Sequence, residues 1–192
     1  MLNSKPANTS FRILDVIKNR WSPVGFDNTK PVEKEKIDIL LEAARWAPSS
    51  FNEQPWSYII GYKGDETHEK LAGCLVEGNS WAKDVYVLML SIAKNFFEHQ
   101  HKANRFHMHD TGAANACMHL QATAENLGMH QMEGFNVEQA RKYFNINKDY
   151  TPASMIAIGY PAASTENLPE QLKQRDESER GRKPHEDLLW EF

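Results

Sequence analysis

The sequence predicts an α+β fold in which helices outnumber the strands of a small central sheet. Three observations carry this reading. Five segments between Phe11 and Phe144 have the apolar spacing of amphipathic helices. Three short apolar stretches bounded by turn residues read as strands. The resulting order, αα–β–α–β–α–α–β and then a tail, lacks the strict βαβ alternation of a doubly wound sheet.

The elements follow in order. Residues 1–10 read as a loose tail. Phe11–Lys18 places Phe11, Leu14 and Ile17 on one helical face, and Ser22, Pro23 and Gly25 break it. Pro31 opens a second helix, Val32–Trp46, with Ile37, Leu40, Leu41 and Ala44 inward; Pro48 stops it. Ser57–Gly61 is a short strand, and Thr67–Val76 a helix with Leu71, Cys74 and Leu75 inward. Asp84–Ala93 is apolar without alternation, as in a strand covered on both faces. Thr111–Leu127 is a long helix with a small-residue stripe of Ala113, Ala116, Cys117, Leu120, Ala124 and Leu127, closed by Gly128 as its C′ glycine. Residues 133–134 look like a turn after it. Val137–Phe144 is a helix and Ala153–Gly159 a strand. Residues 165–192 are polar, end in "LLWEF", and read as an extension that crosses onto another subunit or lies over the core.

The totals narrow the function classes. At 192 residues the chain predicts one domain, 1–192. A net charge of −4 gives no basic footprint for nucleic acid. The longest apolar run, Val85–Leu90, is far below the roughly 18 residues of a membrane span. The N-terminus lacks an apolar leader core. Cys74 and Cys117 match no disulfide framework or metal spacing and read as thiols in a reducing cytoplasm.

No GxGxxG, GxxxxGK[ST] or GxSxG pattern is present, so the standard dinucleotide, P-loop and hydrolase signals are missing. Ser49 and Ser50 would be nucleophiles only if a histidine and a carboxylate converged on them. His99, His101, His107 and His109 offer two H-x-H pairs beside Asp110, but Lys102 and Arg105 oppose a cation, and the segment reads as a solvated loop rather than a metal site. Arg20, Ser22, Arg180 and Arg182 suit a phosphate monoester if they meet, because guanidinium donates in a planar fork; otherwise they are exposed loop charges. Asn52 and Asn79, with Ser49 and Ser50, suit a planar heterocycle or ordinary turns and caps.

Taken together these segments resemble the FMN-dependent nitroreductase family. "RWSPVGFD" (Arg20–Asp27) resembles its R-x-S-x-[RK]-x-F motif, and "APSSFNEQPW" (Ala47–Trp56) its A-P-S-x-x-N-x-Q-P-W motif. "GNSW", "AENLGMHQMEGFN", "MIAIGYP" and the C-terminal "RGRKP" follow in the family's order. The resemblance implies a mostly antiparallel sheet flanked by helices, in an intertwined homodimer with FMN at the interface and the C-terminal extension on the partner. Arg20, Ser22, Arg180 and Arg182 would hold the phosphate and ribityl chain, with Trp21 and Val24 in the same segment. Pro48, Ser49, Ser50 and Asn52 would reach the flavin from the opposite subunit, with Trp46 and Trp56 anchoring that loop in apolar surroundings. Asn79 would meet the pyrimidine side of the ring, and Met132, Glu133 and Gly134 would lie near N5.

The implied activity is a two-step reaction in which NADH or NADPH gives a hydride to flavin N5 and a nitroaromatic, quinone or related small acceptor then takes it. No side chain is assigned as a catalytic acid or base. A reductive dehalogenase, a flavin-degrading enzyme and a flavin carrier are the alternatives on the same fold; a zinc hydrolase is the alternative through the histidines. Two features depart from the family pattern. Val24 stands where a basic residue is usual, and Asn95–Asp110, the variable lid region, matches no subgroup.

Overall fold

The computed structural model describes residues 5–99 and 101–190; residues 1–4 of the expected N-terminal tail, and Glu191 and Phe192 of the "LLWEF" end, lie outside the described residues. Four strands form one antiparallel sheet in the order β1 (Trp56–Tyr62), β2 (Val87–Lys94), β4 (Tyr150–Gly159), β3 (Gly128–Met132). Around it lie α1 (Asp15–Asn19), α2 (Lys34–Arg45), α3 (Glu66–Gly73), α4 (His107–Ala124), α5 (Val137–Phe144) and α6 (Glu170–Glu177). Short 3-10 segments run over Ser50–Asn52, Glu77–Asp84 and His185–Leu188.

The apolar run of β2 is explained by its central place. Successive side chains of a strand point to opposite faces. Val87 and Met89 join α2 and α4 in one core cluster, while Leu88, Leu90 and Ile92 join α3 and α5 in another. β4 divides in the same way, Ile156 and Ile158 to the first cluster, Met155 and Ala157 to the second. The sheet is therefore the middle layer of three, buried on both faces. Ile37, Leu40 and Ala44 of α2, and Leu71, Cys74 and Leu75 near α3, are buried as their spacing predicts. Asp65 caps α3 by accepting from the His68 amide, and Asn136 caps α5 through the Gln139 amide.

Several elements differ from expectation, among them α6, which forms inside the segment read as a polar extension. The first helix is only Asp15–Asn19, and Phe11 and Leu14 are exposed, since no sheet face lies under them. β2 begins at Val87 because Asp84 ends the preceding 3-10 turn. β4 begins earlier, at Tyr150. Gly128 does not close the long helix: Asn126, with φ +60°, makes the left-handed exit, and Gly128 opens β3, where a turn had been expected to follow. α4 starts at His107, so His107 and His109 lie in a helix rather than a loop. Its buried face is Asp110, Thr111, Ala114, Asn115, Met118, His119 and Ala122, and the small-residue stripe is only half-buried or exposed along the helix. Most of the polar residues on the inward face find partners there: Asn115 accepts from the Tyr58 hydroxyl and donates to Ser91 and Gln131, whereas the buried Thr111 hydroxyl has none among the described residues.

The crossing of α3 over β1 depends on Gly61. A Cβ there would stand 2.3 Å from the His68 backbone nitrogen, an atom held in the helix. Gly61→Ala is expected to destabilise the fold by about 3 kcal/mol, the upper range for overpacking against an immovable neighbour; urea unfolding with unchanged m-value would measure it.

Candidate functional site

The loop after α1 and the segment after α6 meet at a cleft of about 220 Å³. Arg20, Trp21, Ser22, Arg180 and Arg182 line it, together with Lys5, Arg175, Ser178 and Glu179. The four residues expected to hold a phosphate are thus brought together from opposite ends of the chain. Among the described residues no carboxylate lies within ion-pair distance of Lys5, Arg20, Arg180 or Arg182. Burial, and then the Arg182 charge, lowers the pKa of Arg20; burial, and then Arg20 and Arg182, lowers that of Arg180. Such a group of unneutralised guanidiniums is a receptor for a compact anion.

The backbone that presents Arg20 and Ser22 is held from three distant elements. His119 of α4 meets the Trp21 carbonyl at 3.1 Å through Nε2. His130 of β3 meets the Pro23 carbonyl at 2.8 Å through Nδ1. The buried Asp176 carboxylate of α6 accepts from the Val24 and Gly25 amides at 2.8 and 2.9 Å. Burial pushes the His119 ring down to about 4 against the raising effect of the Trp21 carbonyl, and burial likewise lowers His130. Both rings are neutral at pH 7, and each donates the N–H of the stated atom to its carbonyl.

Val24 is not at the cleft. Its side chain is buried, at 4 % exposure, so a basic residue at this position would not fit the site as built. The residue contributes its backbone amide to Asp176 instead.

A second group forms around Asn79. Its amide nitrogen donates to the Gly134 carbonyl at 3.0 Å, tying the turn over Glu77–Asp84 to the end of β3. Gly134 is required by this contact, because a Cβ would lie 2.6 Å from that nitrogen. Met132 is buried in the sheet, while Glu133 is exposed. Trp81 joins the two groups by packing on the His130 ring at 4.9 Å.

Pro48, Ser49, Ser50 and Asn52 do not line the cleft of their own chain. Their loop is held in an unusual shape: Phe51, Asn52 and Gln54 have φ of 53°, 56° and 51°. Each left-handed residue costs about 1 kcal/mol or more. The Ser50 amide donates to Asp110 at 2.9 Å and the Gln54 amide to the Ser49 hydroxyl at 3.0 Å, which offsets part of that cost. Trp46 does not anchor the loop in apolar surroundings; it is 74 % exposed and donates to Glu42. Strained loops of this kind mark functional segments.

The sequence reading missed Lys5, His119, His130 and Asp176. For His119 a signal exists: Thr111, Asn115 and His119 repeat at four-residue spacing, a polar stripe inside an otherwise apolar helix. For Asp176, 152 residues from Val24, no local pattern announces the contact. Among the described residues no group of three or more histidine, cysteine or acidic side chains is placed to hold a metal, and no helix is long and apolar enough to cross a membrane.

The sequence pattern of the nitroreductase family matches residues 17–160. A protein of Methanothermobacter thermautotrophicus, described as a candidate NADH dehydrogenase/NAD(P)H nitroreductase, is 30% identical over 155 residues, covering 78% of each chain. A solved structure described as an oxidoreductase containing FMN superposes with a TM-score of 0.89 at 30% identity, covering 100% of this chain and 97% of its own. A nitroreductase family protein of Clostridium difficile 630, at 23% identity and a TM-score of 0.71 over 94% of this chain and 98% of its own, shares the fold.

The neutral histidines make the site sensitive to acid. The His119 pKa is lowered on folding, so the unfolded chain binds the extra proton below about pH 6.5 while the native state resists it until about 4. Stability is present in full above that window and is lost as pH falls through it. Between pH 7.5 and 5 the unfolding free energy is expected to fall by about 2 kcal/mol from this group, with His130 acting in the same direction. Urea titrations at both values would measure the fall, and His119→Gln, which keeps an N–H donor, would flatten it.

Proposed function

Because the chain belongs to the nitroreductase family, we propose that it is an FMN-dependent oxidoreductase that uses NADH or NADPH to reduce nitroaromatics, quinones or related small acceptors. The observation that carries this reading is the cleft where Arg20, Ser22, Arg180 and Arg182 converge, with none of the three guanidiniums in an ion pair among the described residues. That donor set fits a terminal phosphate monoester, the one strongly anionic group of FMN. When bound, the flavin supplies the hydride chemistry, taking a hydride from the nicotinamide and passing it to the acceptor in alternating half-reactions.

The chain's own residues bind and orient. The guanidiniums and the Ser22 hydroxyl hold the phosphate, and Trp21 borders it. Asn79 spends its amide nitrogen on Gly134, leaving its amide oxygen to accept from the edge of a heterocycle. Glu133 and Gly134 present backbone at the end of β3. Pro48, Ser49, Ser50 and Asn52 serve the site of a second copy of the chain; their distance from their own cleft, and the exposed Trp46 and Phe51 beside them, support this homodimeric arrangement. No side chain is given an acid–base role. We place the protein in the cytoplasm, where Cys74 and Cys117 would stay free thiols, as they are in the structure.

The test begins with FMN addition, desalting and an anaerobic spectrum before and after NADH or NADPH. Retained flavin absorbance that bleaches with the nicotinamide is the expected outcome; retained flavin that stays oxidised would make the protein a flavin binder without reductase function. Arg182→Gln should raise the Kd for FMN about tenfold or more, since one charge-assisted bond contributes about 1.5–3 kcal/mol, with little effect on the Tm of the apoprotein.

A further inference from the structure

The N-terminal tail enters the anion cleft. Lys5 lines it, and its ammonium lies 5.1 Å from the ring of Trp21. The same ammonium donates to the Asp176 and Ser178 carbonyls, each at 2.5 Å. The Lys5 carbonyl in turn accepts from Arg180 at 2.5 Å. Two residues further on, the Ala7 amide donates to the Lys18 carbonyl at 2.8 Å, and Arg180 also donates to that carbonyl. The tail is thus stitched both to the end of α1 and to the segment that carries the arginines.

The partners of Lys5 are neutral carbonyls, which orient an ammonium without cancelling its charge. They accept two of its three protons, leaving one donor uncommitted. The segment beyond α6 is itself fixed by the Asp176 side chain on Val24 and Gly25. We propose that Lys5 is a further anion-binding residue, a cation of the phosphate cleft beside its arginines, held in place by the Asp176 and Ser178 carbonyls so that the tail and the segment after α6 hold the ligand together. This rests on the flavin reading for the identity of the ligand but not for the presence of the cleft. The tail then acts in cofactor recognition, and it discriminates a phosphorylated flavin from an unphosphorylated one.

The experiment uses the full chain as apoprotein, with Lys5→Met and Lys5→Arg. FMN and riboflavin are titrated by quenching of flavin fluorescence, and inorganic phosphate by its effect on Tm at matched ionic strength. Lys5→Met is expected to raise the Kd for FMN about tenfold, to leave riboflavin binding unchanged, and to lose most of the phosphate-induced rise in Tm; Lys5→Arg should stay within about threefold of the parent for FMN. FMN binding unaltered in Lys5→Met would overturn the proposal. So would equal losses for FMN and riboflavin, which would mean that the tail supports the fold and not the phosphate. A parent protein that binds neither flavin, yet is stabilised by phosphate through Lys5, would refute the flavin reading and keep this one. No effect of phosphate or flavin on the parent would refute both.

Discussion

Like charges gathered at one cleft repel, and this repulsion is the constraint around which the site is built. Countercharges would remove it, but they would also fill the site. The protein holds the backbone in place of the charges. Neutral histidines take the carbonyls of Trp21 and Pro23, and one carboxylate takes the amides of Val24 and Gly25. Asp176 is the single anion in this scaffold, and both of its oxygens are engaged by backbone, so it positions the loop without pairing with the guanidiniums. The arginines keep their charge for a ligand.

The sheet makes this possible by placing the holding groups. β3 lies at its edge and brings His130 under the loop, while α4 packs across one face and brings His119 alongside. The Phe26–Pro161 bridge continues the pairing beyond β4, and the ring of Phe26 stacks on Trp81 at 6.0 Å. Through Trp81 the turn carrying Asn79 is joined to the same framework. The two groups of residues proposed to hold the cofactor therefore share one support and do not ride on independent loops.

Much of this was legible in the sequence. The covered strand β2 announced itself by an unbroken apolar run, and α2 and α3 by their spacing. The cleft arginines were legible only as motifs, since residues 20 and 182 have no local relation. β3 escaped notice because it is five residues long, begins with glycine and carries a histidine and a glutamine, which periodicity cannot tell from a turn. The inward face of α4 was misread because apolar patterning assumes that polar residues face water. Here Asp110, Asn115 and His119 are buried with partners, and their partners come from β1, β2, β3 and two loops. Satisfied burial of that kind is a property of the assembled fold, and a one-dimensional pattern does not contain it.

The separation of 152 residues between Val24 and Asp176 has a consequence for biosynthesis. The four strands and α1 to α5 lie before residue 160 and both core clusters are complete at Tyr160, so they can form before α6 and the arginines that follow it have been made. Chains fold as they emerge, N-terminal parts first. A nascent chain at that stage has a sheet and two cores but half a cleft, with Arg20 present and Arg180 and Arg182 absent. Completion of the cleft is thereby placed after the segment carrying Arg180 and Arg182 has been made, and a chain interrupted before it would lack half of the proposed cofactor site.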